Sequence, residues 1–136
     1  MIHVLIVDDH SHIRRIVSNL LHLSPDIEVV AEAENGIEAV KLAQVLNPDV
    51  VVMDISMPEM DGFQAIKQFQ ALNLSLQVVI LSTYSNSTFV QRALQLGVRG
   101  YVLKRTVVKE LTTAIRSASQ GQTFLSPLIA ESLPAS

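Results

Sequence analysis

The chain has 136 residues, 49% of them hydrophobic and only 17% charged, with ten Lys and Arg against thirteen Asp and Glu for a net charge of −3. That length and apolar content suit one domain with a real core, and the acidic balance argues against a bare nucleic-acid binder. Cysteine is absent, which excludes a disulfide framework, a thiolate metal site and a cysteine nucleophile together.

In chain order, the first apolar run is His3-Val4-Leu5-Ile6-Val7, closed by Asp8-Asp9. Met1-Ile2 ahead of it offers no basic or signal-like segment, and no run approaches the roughly 18 residues of a membrane span, so a soluble cytoplasmic protein is expected. Ile13, Ile16, Val17, Leu20 and Leu21 then recur with helical spacing and predict one buried helix face. Ser24-Pro25-Asp26 breaks that helix before a second strand at 27–31, and Asn35-Gly36 opens a helix marked by Ala39, Val40, Ala43 and Leu46.

Asn47-Pro48-Asp49 precedes a third strand, Val50-Val51-Val52-Met53, closed by Asp54. Asp61-Gly62 reads as a turn and the start of a helix carrying Phe63, Ile66, Phe69 and Gln70. Strands are predicted at 77–81 and 99–103, and a last helix through Val108, Leu111, Ile115 and Ala118. Five β-then-α alternations imply an α/β fold, a parallel sheet with helices on both faces and its ligand-binding edge at the strand C-termini. After Gly121 the chain reads as a linker, in which Pro127 following Ser126 suits a helix first turn.

Three carboxylates thus stand where two strands end. If the strands are neighbours, the acids crowd one small volume, where two unit charges about 4 Å apart repel by roughly 4 kcal/mol at an effective dielectric near 20. A compensating cation is required. Mg²⁺, a hard oxygen-preferring ion, is the natural candidate, with Lys104 after the fifth strand as its helper.

Val4-Leu5-Ile6-Val7-Asp8-Asp9, the run Val52-Met53-Asp54-Ile55-Ser56-Met57-Pro58-Glu59-Met60-Asp61-Gly62, then Leu81-Ser82-Thr83 and Gly100-Tyr101-Val102-Leu103-Lys104 occur in one order. Over residues 2 to about 120 the chain strongly resembles the receiver domains of bacterial two-component response regulators. The resemblance implies a flavodoxin-like doubly wound sheet of five parallel strands, order 2-1-3-4-5, with five helices. It implies that Asp54 accepts a phosphoryl group from the phosphohistidine of a sensor histidine kinase with Mg²⁺. Asp9 and Asp54 would ligate the ion directly, Asp8 through water, and Ser56 through its backbone carbonyl. Lys104 and the Ser82 hydroxyl would contact the phosphoryl oxygens. Ser82 and Tyr101 would form the switch, the Tyr101 ring turning inward as Ser82 is drawn away. The domain would self-catalyse its phosphorylation and dephosphorylation without otherwise being an enzyme.

Lys109-Glu110-Leu111-Thr112-Thr113-Ala114-Ile115-Arg116 and Gly121-Gln122-Thr123-Phe124-Leu125-Ser126-Pro127 resemble the LuxR/FixJ-type, NarL-like branch. Residues 1–121 are then the receiver and 122–136 the start of a linker toward a helix-turn-helix DNA-binding domain not in this chain. A solitary receiver or phosphorelay intermediate fits the sequence equally well. A phosphorylation-dependent homodimer on the first and fifth helices, no membrane partner, and DNA contact only through the missing domain are the further expectations. The chain departs from many receivers in having Arg105 rather than proline after Lys104; a non-proline cis bond costs about 2.5–4 kcal/mol, so trans is expected there.

Rival readings weigh less. A haloacid-dehalogenase phosphatase needs a second Asp two residues after its nucleophile, where Ser56 stands. A flavodoxin would need a hydroxyl-rich phosphate loop after the first strand, where Asp8-Asp9 would repel phosphate. Alone, each strand-end Asp is as often a turn former or helix cap. His10 and His12, two apart, make a poor helical metal pair and read as surface residues, His10 near the acidic rim.

Overall fold

The computed structural model describes residues 1–131 and 133, so the end of the expected linker, 132 and 134–136, lies outside the described residues. Strands β1 (Ile2–Val7), β2 (Ile27–Ala33), β3 (Val50–Met53), β4 (Gln77–Ser82) and β5 (Gly100–Leu103) alternate with helices α1 (Ser11–His22), α2 (Gly36–Leu46), α3 (Gly62–Ala71), α4 (Ser87–Gln95) and α5 (Val107–Ser119). Beyond them lie β6 (Phe124–Leu125) and α6 (Pro127–Ala130). The sheet order is β2-β1-β3-β4-β5-β6, with every pairing parallel.

The expected order and sense of the five strands therefore hold, but among the described residues the count is six strands and six helices. The sixth strand escapes the sequence because two residues carry no periodicity. Phe124 and Leu125 pair with Gly100 and Tyr101, extending the sheet past β5.

Both faces of the sheet are covered, which is why the strands are runs of branched residues instead of alternating ones. Leu5, Val7, Val51, Met53, Ile80, Tyr101 and Leu103 face one core with Ala39 and Ala43 of α2, Phe63 and Phe69 of α3, and Val90 and Ala93 of α4. Val4, Ile6, Val50, Val52, Val79, Leu81 and Val102 face the other, with Val17 and Leu21 of α1 and Leu111, Ala114 and Ile115 of α5. The buried helix faces are narrower than the apolar spacing predicts. Ile16 and Val108 are 45% and 66% exposed, because each sits one turn-edge away from the stripe that meets the sheet.

Caps follow the local residues. The Asn35 side chain accepts from Glu38 N at 2.9 Å, and Asp61 with Gln64 forms a reciprocal capping box, so Asp61 starts α3 as expected. Ser126 is different. It precedes Pro127 at the start of α6, yet its hydroxyl accepts from Leu103 N at 3.0 Å and donates to Glu110 instead of capping the helix. No helix among the described residues is long and apolar enough to cross a membrane.

Candidate functional site

Because Val7 pairs with Met53, β1 and β3 end side by side and release Asp8, Asp9 and Asp54 into the same space. The ladder continues one residue further, with Asp54 N donating to Val7 O and Asp8 N to Ala33 O, both at 3.1 Å, so these acids leave the sheet from fixed backbone positions. On the other side, Ser82 pairs with Leu103, which brings Lys104 to the same rim.

Lys104 Nζ lies 2.9 Å from Asp8 Oδ2 and 3.1 Å from Asp54 Oδ2. Asp8 and Asp54 are 2% and 5% exposed, so a single ammonium serves two buried carboxylates. The contact to Asp54 has hydrogen-bond geometry; Asp8 Oδ2 makes no hydrogen bond and is held by the lysine's charge. Burial pushes the Asp54 carboxyl above the ordinary carboxylate range, the Lys104 charge opposing this and the Asp8 charge adding to it. Burial works against the charge on Lys104, but the close contact with Asp8 and the charges of Asp54 and Asp8 together hold its pKa above the usual lysine value.

The outer half of the cluster is exposed. Asp9 and His10 stand at the surface, and His10 Nδ1 lies 3.1 Å from Asp8 Oδ1 and 3.2 Å from Asp9 Oδ1. His10 N also donates to Asp8 Oδ1 at 2.9 Å, fixing that carboxylate; neither Asp8 nor Asp9 caps α1, whose cap position is His10 itself. Arg14 Nη1 donates to the Asp8 carbonyl at 2.6 Å, pinning the end of β1 from beneath.

The loop from Ile55 to Gly62 shapes the surroundings of Asp54. Ser56 N approaches Asp54 Oδ1 at 3.4 Å, and Gly62 N donates to Ile55 O at 2.8 Å, bringing the first turn of α3 against the acid's backbone. A Cβ on Gly62 would stand 2.5 Å from Asp54 O, so only glycine permits this approach. Glu59, with φ of 68°, turns outward, as a solvent-facing residue should.

Ser82 and Tyr101 sit together behind this rim. Ser82 is fully buried and its hydroxyl accepts from Tyr84 N at 2.9 Å. The Tyr101 ring is already inside, fully buried, with its hydroxyl donating to Tyr84 O at 2.7 Å. Burial raises the Tyr101 pKa, and the neighbouring Ser82 hydroxyl partly offsets it. Lys104, Arg105 and Thr106 form a single 3-10 turn, and no cis peptide occurs among the described residues, so the Lys104–Arg105 bond is trans.

Of the six side chains expected from the sequence, Asp8, Asp9, Asp54 and Lys104 crowd together at one rim, and Ser82 and Tyr101 meet behind it through Tyr84. Ser56 joins through its backbone N–H. The sequence places His10 only near this group, whereas it is part of it, and the Asp8-Asp9-His10 adjacency is the available signal. Arg14 carries no such signal, because a helix arginine reads as a solvated charge. One ligand atom each from Asp8, Asp9, His10 and Asp54 lie within 4.8 Å of one another, a donor set rich in hard oxygen that fits a divalent cation.

The comparisons agree with this geometry. The model of the response regulator receiver domain matches residues 4–116. The chain is 36% identical over 136 residues to the nitrate/nitrite response regulator protein NarL of Escherichia coli, covering 97% of this chain and 63% of that one. Among solved structures, a LuxR-family two-component response regulator from Aurantimonas sp. SI85-9A1 superimposes with a TM-score of 0.90 at 32% identity, over 95% of this chain and 92% of that one. The isolated REC domain of RcsB from Salmonella enterica serovar Typhimurium, with the phosphomimetic BeF3-, also reaches 0.90 at 26% identity, covering 98% and 99%. The chain spans about 63% of the length of the curated NarL it matches. With matched strand order, an acid rim facing a lysine, and a family model that covers most of its length, the chain belongs to the response regulator receiver domain family, in its NarL-like LuxR branch.

Proposed function

We propose that this domain is a phosphorylation-activated switch in two-component signalling, with Asp54 as phosphoacceptor. The observation that carries the reading is the Lys104 ammonium seated 2.9 and 3.1 Å from two buried acids that share their space with Asp9. A purely structural lysine would need one partner, not a surplus of negative charge.

In this reading the Asp54 carboxylate attacks the phosphorus of a sensor kinase's phosphohistidine. An O–P bond forms, the N–P bond breaks, and the imidazole leaves with the bonding pair. Burial makes Asp54 a more basic, hence better, nucleophile once ionised. Lys104 is drawn from its two carboxylates toward the added charge, and the Ser82 hydroxyl gives up Tyr84 N to donate to a phosphoryl oxygen. Asp9 and Asp54, with Asp8 through water and the Ser56 carbonyl, would hold Mg²⁺, which would supply positive charge against the carboxylates and the phosphoryl group. Tyr101 already occupies the inward position through its bond to Tyr84 O, so a Ser82 movement would act on the same loop from its other end.

The domain would catalyse only its own phosphorylation and dephosphorylation. That the similar RcsB REC domain has been solved in the presence of the phosphomimetic BeF3- supports phosphorylation as the signal here. Relatives described as transcriptional regulatory proteins, DegU of Brevibacillus brevis and LiaR of Bacillus subtilis, support an output in transcription through a DNA-binding domain beyond this chain. We place residues 1–121 in the receiver and 122–136 on the way to that domain, in a cytoplasmic protein that dimerises on phosphorylation.

Incubation with acetyl phosphate and Mg²⁺, followed by intact-mass measurement, should reveal one added phosphoryl group labile to hydroxylamine. An adduct that survives Asp54→Ala, or none on the unaltered chain, overturns the reading.

A further inference from the structure

The acid cluster has one member with no place in that mechanism. His10 is exposed, directly follows the two acids and points its ring into them, with Nδ1 at 3.1 and 3.2 Å from Asp8 Oδ1 and Asp9 Oδ1. An octahedral ion with ligands about 2.1 Å away holds neighbouring ligand atoms about 3 Å apart. His10 Nδ1 and Asp9 Oδ1 thus already have the spacing of two neighbouring ligand atoms in one coordination shell, with Asp8 Oδ1 beside them. Asp8, buried beneath them, turns its other oxygen, Oδ2, to Lys104 at 2.9 Å and leaves Oδ1 to the ring side.

We propose that His10 Nδ1 is a ligand of this cation site, giving it one nitrogen among oxygens and a preference for nitrogen-accepting divalent ions such as Co²⁺ and Ni²⁺ over Mg²⁺. The proposal rests on the acid cluster binding a divalent cation at all. Its chemical basis is that imidazole suits the later first-row transition ions, whereas Mg²⁺ favours carboxylate and water. Three features position the ring for this. The His10 carbonyl accepts from Ile13 N and Arg14 N, which anchors the residue at the start of α1 independently of its side chain. Its backbone N–H donates to Asp8 Oδ1 at 2.9 Å, tying the residue to the acid that its ring faces. The ring of His12 lies edge-on at 5.8 Å between centroids and backs it from the helix side.

The same distances suit a histidine that merely hydrogen-bonds to the two acids, and the two roles have opposite consequences. A hydrogen-bonding His10 must be displaced by every ion, so its removal would strengthen Mg²⁺ and Co²⁺ alike. A ligating His10 strengthens only the ion that accepts nitrogen.

The test is calorimetric titration of the tag-free chain with Mg²⁺ and, separately, with Co²⁺ at fixed pH, comparing the unaltered protein with His10→Ala and His12→Ala. Pulsed electron paramagnetic resonance of the Mn²⁺-loaded forms reports any directly bound ¹⁴N. His10→Ala should weaken Co²⁺ by ~10-fold or more, the scale of losing a metal-site contact, leave Mg²⁺ nearly unchanged and erase the nitrogen coupling. His12→Ala should keep the nitrogen coupling, because it leaves His10 Nδ1 in place. Equal Co²⁺ affinity with and without the ring, or a gain for both ions, overturns the assignment while leaving Mg²⁺ binding intact. An unaltered protein that takes up neither ion overturns both the ligand and the cation site.

Discussion

The two rims of the sheet handle charge in opposite ways. At the strand N-termini each acid has a local, solvent-facing partner: Arg116 donates to both oxygens of Asp26 at 2.8 and 3.0 Å, and His3 N donates to Asp49 at 2.8 Å. The hydrogen bond from Arg116 holds the Asp26 carboxyl below its usual range. At the strand C-termini Asp8 and Asp54 are buried and outnumber their cation, and the Asp54 carboxyl is pushed up instead. Pairing in water tethers loops at small electrostatic stake, whereas crowding acids away from water builds a site that is incomplete until more positive charge arrives.

The largest break in that contrast should come from Lys104→Met, which removes the ammonium between Asp8 and Asp54. Denaturant unfolding at neutral pH without metal should show a loss of about 3 kcal/mol, the scale of stripping one partner from a buried ion pair. Added Mg²⁺ should recover part of it. Gly62→Ala comes next, because the new Cβ would press to 2.5 Å against the Asp54 carbonyl, a backbone atom that cannot step aside. An overpacking cost of about 2 kcal/mol is expected, together with weaker Mg²⁺ uptake by calorimetry.

Asp54→Asn should act in the reverse direction, raising stability by about 1 kcal/mol in metal-free buffer at neutral pH, measured as an increase in Tm. Since the folded form holds its proton more tightly than the unfolded one, the wild-type penalty is complete above the raised folded value. It fades as the pH falls toward the unfolded carboxylate value near 3.9. The gap between the two melting curves should therefore close in acid. Arg116→Ala, at the exposed rim, should give the smallest change in Tm, and raising the salt should erase it.

Much of the fold is legible because the strands are buried on both faces. Val50-Val51-Val52-Met53 admits few other readings, and the acids that close β1 and β3 follow from where those runs stop. The rim constellation is legible for the same reason, since parallel neighbours must end together. The hidden parts depend on contacts between distant segments. Nothing near Ser126 announces that its hydroxyl will join Leu103 N to Glu110, since residues 23 and 16 positions apart must first be folded together. The inward Tyr101 ring depends likewise on the carbonyl of Tyr84, an irregular loop residue with no pattern to read.

The short sixth strand has a consequence for how the sheet ends. Phe124 N and Ser126 N bond to the carbonyls of Arg99 and Tyr101, and the Ser126 hydroxyl takes the Leu103 amide, so β5 keeps no bare flank. A polypeptide stopped at Gly121 would leave that flank open, an invitation to zip against a second molecule. With it in place the outermost strand is only two residues long and is followed by Pro127, a blunt selvedge on which foreign strands find little to grip.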